Sequence, residues 1–469
     1  MDFEIISLIW ALVHLVGIVA AADAVYWSKT PQGAVGWGIS LLSMPLVAGP
    51  LYLFLGRNKF RGHRRSVQRR IDLHRRKIQE GQAHSQGSLS SKDRERGDFE
   101  KVTGVKFIPG NDTKLILKGR ESFDLLFDAI RRAEKYILLQ YYIVQDDTVG
   151  SELKRVLIER AAVGVKIYFM YDAWGSSGLS SEYISELRAA GCQIRPFETR
   201  HKIRDFFQLN FRNHRKMTIV DGRIAFIGGI NIGDEYRSDK VGTPWIDAQL
   251  QVQGPAILSL QAAFVADWHW ASGVDPEVLW TEALDCGEQS ILPALTGPAD
   301  LRESCSFLFL EAILSAKKRI WIATPYFVPD EAILKALQLA ALRGVEVLIL
   351  LPEQGDNLLV RLASYAYMPE VISHGVKVFF YQQGFLHKKT FLVDDDLGAV
   401  GSANWDYRSL RLNFEVTLLV NSKELNRELS IMFEDDLKHS IRCNISSYYD
   451  LSLSKRYASK FARLFAPIL

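Results

Sequence analysis

Residues 386–404 read LHKKTFLVDDDLGAVGSAN, and residues 213–231 read NHRKMTIVDGRIAFIGGIN. Both follow one spacing, H-x-K-x4-D-x6-G-[GS]-x-N. In the later copy His387, Lys389 and Asp394 lead to Gly401, Ser402 and Asn404. In the earlier copy His214, Lys216 and Asp221 lead to Gly228, Gly229 and Asn231. A lone H-x-K is a weak signal. Two copies that agree from the His to the Asn mark a duplicated unit.

The duplication extends outward from the motifs. Residues 133–137 (AEKYI) parallel 316–320 (AKKRI), and ILLQYYIV at 137–144 parallels IWIATPYFV at 320–328. A helical stretch follows in each copy and stops at Gly164 or Gly344, before GVKIYFM and GVEVLIL. Glycine followed by β-branched residues is a helix-to-strand junction. A second junction follows at Gly191 and Gly375. Strands alternating with helices predict an α/β fold: two domains related by a pseudo-twofold axis, each with a mostly parallel core and hairpin strands at the motif. The copies differ before the motif. The step from Gly191 to His214 is about eleven residues longer than that from Gly375 to His387. The extra residues, HKIRDFFQLNFRN at 201–213, mix basic and aromatic side chains, which suits an anionic headgroup with apolar chains or a single-stranded nucleic acid, with lipid favoured beside a membrane anchor. An ordinary surface loop is the other reading.

The chain has 469 residues, 48% hydrophobic and 24% charged, a net charge of +3 and four cysteines, Cys192, Cys286, Cys305 and Cys443, with no CxxC pair. These values argue against a disordered chain, a global basic field for nucleic acid, and a zinc or disulfide framework. Residues 5–25 and 34–55 are two apolar runs, each near the ~20 residues that cross a bilayer. Asp2 and Glu4 stand where a signal peptide would carry Lys or Arg. A two-helix transmembrane hairpin is therefore expected. Of its polar members, Asp23 is read as reaching the interface and His14 as satisfied against the partner helix. A basic block from Arg57 to Lys77 follows, with Asp72 as its only acid. It places the N-terminus and the large C-terminal portion in the cytoplasm. Whether it also binds anionic lipid is open at this point. Residues 81–97 are rich in Gly and Ser and read as a linker. The expected division is a hairpin at 1–56, a basic segment and linker at 57–101, domains at 102–295 and 296–450, and an amphipathic tail at 451–469. The tail spaces Leu453, Tyr457, Phe461, Leu464 and Phe465 at helical intervals beside Lys455, Arg456, Lys460 and Arg463. It reads as an interfacial membrane helix, with core packing as the alternative.

The motif chemistry follows from its residue types. On a strand, His214 and Lys216 share a face, as do His387 and Lys389. A returning strand brings the Gly pair, or Gly-Ser, and the Asn back toward them. Glycine there admits close approach of an anion. Imidazole is a competent nucleophile or proton carrier at neutral pH. Ammonium groups stabilise charge on phosphoryl oxygens. Two such sets facing one phosphodiester supply a nucleophile and a general acid and base, with no metal or other cofactor required.

These paired motifs resemble those of the phospholipase D superfamily, across residues 102 to about 441. The hairpin, the basic block, TPYFVPD at 324–330 and GSANWDYRSLRLNFE at 401–415 resemble bacterial cardiolipin synthases. The resemblance implies transfer of a phosphatidyl group between two phosphatidylglycerol molecules, giving cardiolipin and glycerol. Its setting would be the inner membrane, as a multi-pass protein with catalytic domains on the cytoplasmic side. The partners implied are phosphatidylglycerol and anionic membrane lipids, not nucleic acid; oligomeric state is left open. The resemblance makes His214, Lys216, Asp221, His387, Lys389 and Asp394 the motif residues, with His214 the nucleophile and His387 the acid and base. Asn231, Ser402 and Asn404 would hold the phosphate. Asp247 and Glu415, at matching places after each motif, would orient the histidines. The motif aspartates are expected to act structurally rather than as proton carriers. A phospholipid hydrolase and a nucleic-acid phosphodiesterase share this chemistry and stand as alternatives.

Overall fold

A computed structural model describes residues 3–28, 31–56, 96–197, 211–237, 244–280, 285–300 and 302–469. The basic block, most of the 81–97 linker and the greater part of the aromatic-basic insertion lie outside the described residues. The chain forms two compact units: Met1–Arg61 with Thr199–Arg212, and Gly62–Glu198 with Asn213–Leu469.

In the smaller unit, α1 spans Phe3–Trp27, α2 Pro31–Ser43 and α3 Pro45–Leu51. The second apolar run is thus not one helix. Pro45 has no N–H and disfavours helical geometry at Met44, so the chain breaks there and restarts with Pro45 in the first turn. Among the described residues, α1 is the one helix long and apolar enough to cross a membrane, with Glu4–Trp27 meeting both conditions. Ala21, Ala24, Leu41, Ala48 and Tyr52 form a small core between the helices. Their polar groups are satisfied locally. The Tyr52 hydroxyl donates to Asp23 at 2.8 Å, and the His14 ring lies 2.9 Å from the Trp10 carbonyl.

The larger unit is built on one mixed sheet. Its strands are β1 Ile108–Ile116, β2 Tyr136–Tyr141, β3 Lys166–Asp172, β4 Gln193–Phe197, β5 Met217–Val220, β6 Ile224–Gly228 and β7 Gln249–Gln253. They continue as β8 Gln289–Thr296, β9 Arg319–Ala323, β10 Glu346–Pro352, β11 Lys377–Tyr381, β12 Thr390–Val393, β13 Leu397–Gly401, β14 Asn413–Asn421 and β15 Ser440–Cys443. The order β15-β11-β10-β9-β12-β13-β14-β8-β1-β7-β6-β5-β2-β3-β4 repeats itself outward from the antiparallel β1–β8 pair, with β15 added at one edge. The parallel strands are β2-β3-β4 and β9-β10-β11; the motif hairpins β5-β6 and β12-β13 and the strands nearer the seam are antiparallel. The cores are therefore mixed rather than mostly parallel. Gly164, Gly191, Gly344 and Gly375 end helices at φ of 92°, 90°, 86° and 95°, which favours glycine at these junctions.

Side chains alternate across each strand. Ile320 and Ile322 of β9 enter one core, while Trp321 meets Phe433 on the other face. The helix α4, Gly97–Thr103, starts ahead of the expected domain edge at 102 and buries Phe99 in the core of the second half. β8 pairs along its length with β14. A boundary between 295 and 296 thus cuts the end of a strand that belongs to the second half. In that half, α5 spans Leu358–Ile372, and the tail forms α6, Leu453–Arg463. The tail packs on α5 through small residues, with Ser459, Ala462 and Ala466 buried.

Candidate active site

The sheet order places the two motifs face to face. His214 stands three residues before β5, and its N–H donates to the Phe414 carbonyl at 2.9 Å. His387 stands three residues before β12, and its N–H donates to the Ile246 carbonyl at 2.7 Å. Each motif backbone is thus tied to the other half. Trp245–Ile246 also pairs in parallel with Phe385–Leu386.

This pairing exchanges the carboxylates. His214 Nδ1 lies 3.0 Å from both oxygens of Glu415, and His387 Nδ1 lies 2.7 Å from Asp247 Oδ2. A carboxylate at Nδ1 accepts that proton, which leaves the lone pair on Nε2. Each histidine is therefore oriented by an acid from the other half. Glu415 also accepts from Ser402 Oγ at 2.5 Å, Ser409 Oγ at 2.9 Å and Asn413 Nδ2 at 3.2 Å. Asp247 accepts from its neighbouring Ala248 N–H at 2.8 Å and lies 3.8 Å from Lys389 Nζ.

Lys216 and Lys389 sit in the irregular residues just ahead of their strands, not within them. Each folds back to donate to the carbonyl of its own motif histidine, at 2.7 Å for Lys216. Aromatic rings close the walls. The Tyr142 ring is centred 4.9 Å from His214 and 5.2 Å from Lys216 Nζ. Trp245 and Phe385 stand 4.9 and 5.3 Å from His387.

Burial dominates the electrostatics. It pushes His214 down to about 4 against the pull of Glu415, and His387 down to about 3 with Lys389 adding to the effect. Burial holds Lys216 well below its ordinary value and brings Lys389 down to about 8, despite the attraction of Glu415 and Asp247. For Glu415 burial acts upward, but His214 and Lys216 outweigh it and keep the carboxyl below its ordinary range. At neutral pH the site holds two neutral imidazoles, the Glu415 carboxylate and two lysines whose charge burial opposes. It is preorganised to gain an anion.

Three motif residues are engaged away from the phosphate. Asp221 and Asp394 each lie beyond the far end of the motif strand, remote from the histidines. They occupy left-handed turns at φ 54° and 51°. Asp221 accepts from the N–H groups of Glu134, Lys135 and Tyr136 at 2.8, 2.8 and 2.9 Å. Asp394 binds the N–H groups of Lys317, Lys318 and Arg319 in the same way. A strand rises about 3.3 Å per residue, so seven residues put either aspartate roughly 20 Å from its histidine. Ser402 was expected to hold phosphate. Its hydroxyl instead donates to Glu415 and accepts from the Val416 N–H at 3.0 Å.

Asn231 and Asn404 are buried at the ends of their motifs. Asn231 donates to the Tyr236 hydroxyl at 2.7 Å, and Asn404 to Asp406 at 3.2 Å. Each amide nitrogen keeps a second hydrogen. Sequence reasoning missed Ser409, Asn413 and the aromatic walls. Asn413 stands two residues before Glu415 on β14, so the strand period was a signal for it. Ser409 lies in the short helix Tyr407–Arg411, with no comparable signal. Among the described residues, no group of three or more His, Cys, Asp or Glu is placed to hold a metal ion.

A family model described as "Cardiolipin synthase, PLD-like domain" matches residues 126–240 and 309–437. Cardiolipin synthase A of Pseudomonas putida is 39% identical over 467 residues, covering 98% of this chain and 97% of its own. The Pseudomonas aeruginosa protein of the same name is 40% identical, with coverage of 97% and 95%. The crystal structure of a phosphatidylserine synthase from Haemophilus influenzae matches at a TM-score of 0.61 and 16% identity, over 80% of this chain and 100% of that one. That likeness carries the fold. Identity over nearly the whole length, together with the doubled motif, carries the assignment: the chain belongs to the cardiolipin synthase family of phospholipase D-like phosphatidyltransferases.

Proposed function

We propose that the chain transfers a phosphatidyl group from one phosphatidylglycerol to the terminal hydroxyl of another, through a phosphohistidine. The observation that carries this reading is the exchange of carboxylates between halves, which presents two Nε2 atoms with the chemistry one phosphodiester needs. His214 Nε2 attacks phosphorus, and the bond to the leaving glycerol oxygen breaks. His387 gives that oxygen its proton. The bound phosphodiester raises the proton affinity of both imidazoles, which lets His387 hold the proton it donates. Glycerol leaves. His387 then takes the proton of the incoming glycerol hydroxyl, whose oxygen attacks phosphorus and releases His214. Lys216 and Lys389 neutralise the phosphoryl oxygens, and the second hydrogens of Asn231 and Asn404 add donors. Glu415 holds His214 through the attack, and Asp247 holds His387.

The repeated strand order supports a pseudo-twofold relation between the halves. The length and hydropathy of α1 support membrane attachment, and the basic block that follows supports a cytoplasmic site. We read the setting as the bacterial inner membrane. The region before residue 57 is read as a hairpin whose second arm is broken at Met44.

The test is incubation of the purified chain with phosphatidylglycerol labelled in its headgroup glycerol. Cardiolipin and free labelled glycerol in equal amounts are expected. Phosphatidic acid as the main product would replace transfer with hydrolysis.

A further inference from the structure

The tail was left between two readings, and the structure separates its two faces. The inner face of α6 is small: Ser459 and Ala462 are buried against α5. Arg463 stacks over the Tyr367 ring at 4.2 Å and pairs with Glu370, which fixes the helix in place. The outer face is large and apolar. Leu453, Tyr457, Phe461 and Leu464 are 64%, 74%, 62% and 73% exposed. At 100° per residue these four fall within one stripe, opposite the buried pair. A tail packed for core stability would turn this stripe inward.

The last residues meet the short helix Tyr407–Arg411, which supplies Ser409 to Glu415. The Arg408 N–H donates to the Leu469 carbonyl at 2.9 Å, and its guanidinium to the Ile468 carbonyl at 3.2 Å. Arg408 follows Asn404 and Asp406 in the segment after the second motif. The apolar stripe is therefore anchored to the helix that braces Glu415.

Charge decides what covers the stripe. Residues 451–469 contain Lys455, Arg456, Lys460 and Arg463 and no acid. Lys455 and Lys460 are exposed. A second copy of the tail would bring like charges together, which opposes self-association. Anionic headgroups complement those charges, and acyl chains complement the stripe.

We infer that the outer face of α6 enters the headgroup–acyl boundary of an anionic bilayer and holds the site against the surface that supplies its lipid. This inference rests on the phospholipid reading above. It adds a second membrane contact, separate from α1, which governs access of bilayer-borne substrate rather than the chemistry.

The test uses the full chain in proteoliposomes of phosphatidylglycerol and phosphatidylethanolamine. Cys286, the exposed cysteine, is replaced by Ser. An environment-sensitive fluorophore is placed at Phe461→Cys. A control label sits at Lys423→Cys, on the helix whose Phe433 packs on the opposite face of β9. With acyl-brominated lipid, at least about twofold quenching is expected at 461 and little at 423. Equal, weak quenching at both positions overturns the inference, as does crosslinking of 461 between copies. A second readout is the double variant Phe461→Asn, Leu464→Asn. Turnover of vesicle phosphatidylglycerol is expected to fall about tenfold, while a monomeric short-chain phosphatidylglycerol is turned over as before. Equal loss on both substrates assigns the tail to stability alone and also overturns the inference. Failure of the unaltered chain to form cardiolipin from either substrate would reject the phospholipid reading while leaving the quenching result to stand.

Discussion

At the scale of single residues, the proposed function rests on two imidazoles kept neutral in a buried setting beside two lysines. The asymmetry between them is structural. Glu415 is held by three donors besides His214, while Gly229 stands where the second motif has Ser402. A Cβ at Gly229 would lie 2.2 Å from Asp247 Oδ1, so the carboxylate occupies the space a serine would need. The better-braced histidine suits the covalent role. His214→Ala is expected to abolish capture of labelled lipid on the protein, while His387→Ala captures it and stalls. Acid-quenched gels of radiolabelled reactions read both, and the reverse pattern would exchange the roles. In the proposed role, Lys389 is expected to set the alkaline side of the pH profile. Lys389 has been brought down to about 8 and serves as a cation, so kcat/KM is expected to decline as pH rises through that value. Lys389→Arg keeps its charge, so its alkaline decline should move upward even where its rate is lower. The imidazoles set a stability limit on the acid side. They bind protons less readily folded than unfolded, so the unfolded chain gains protons first as pH falls from about 6.5 toward 4. The unfolding midpoint in detergent is expected to fall over that window, and less steeply in His214→Gln, His387→Gln.

At the scale of elements, the motif strand does two jobs at its two ends. One end presents the histidine; the other ends in an aspartate that pins the start of the neighbouring strand, β2 or β9. Removing that carboxylate leaves three N–H groups without their acceptor, each costing about 1–3 kcal/mol where buried and less where water reaches them. Asp221→Ala is therefore expected to lower thermal stability clearly while the folded fraction keeps its rate. Activity normalised to folded protein by circular dichroism checks this, and a loss per folded molecule would return Asp221 to the chemistry. The motif, the repeat and the α/β alternation were legible because they are local: helix stops at Gly164 and Gly344, strand runs, and a fixed spacing. Ser402 misled because its motif position says nothing of which way its hydroxyl turns. The break at Met44 was legible in Pro45 but was hidden by an apolar run of the right length. The mixed sheet was not legible, since strand direction depends on which strands become neighbours.

At the scale of the whole molecule, the seam between β1 and β8 makes the site. Asp247 and Glu415 stand at matching places after their motifs, and sequence offers no means of pairing either with a particular histidine. The fold resolves that by crossing them, so each half supplies a histidine that the other half orients. This arrangement makes a specific claim about paired variants. Glu415→Gln, in the second half, is expected to behave like His214→Ala in the first: little or no trapped lipid. Asp247→Asn, in the first half, is expected to behave like His387→Ala in the second: trapped lipid that turns over slowly. Each should cost on the order of 10²–10⁴ in turnover, because the wrong tautomer presents a proton where a lone pair is needed, or the reverse. The trapping assay distinguishes this from pairing within a half, which would make Asp247→Asn abolish the adduct and Glu415→Gln accumulate it.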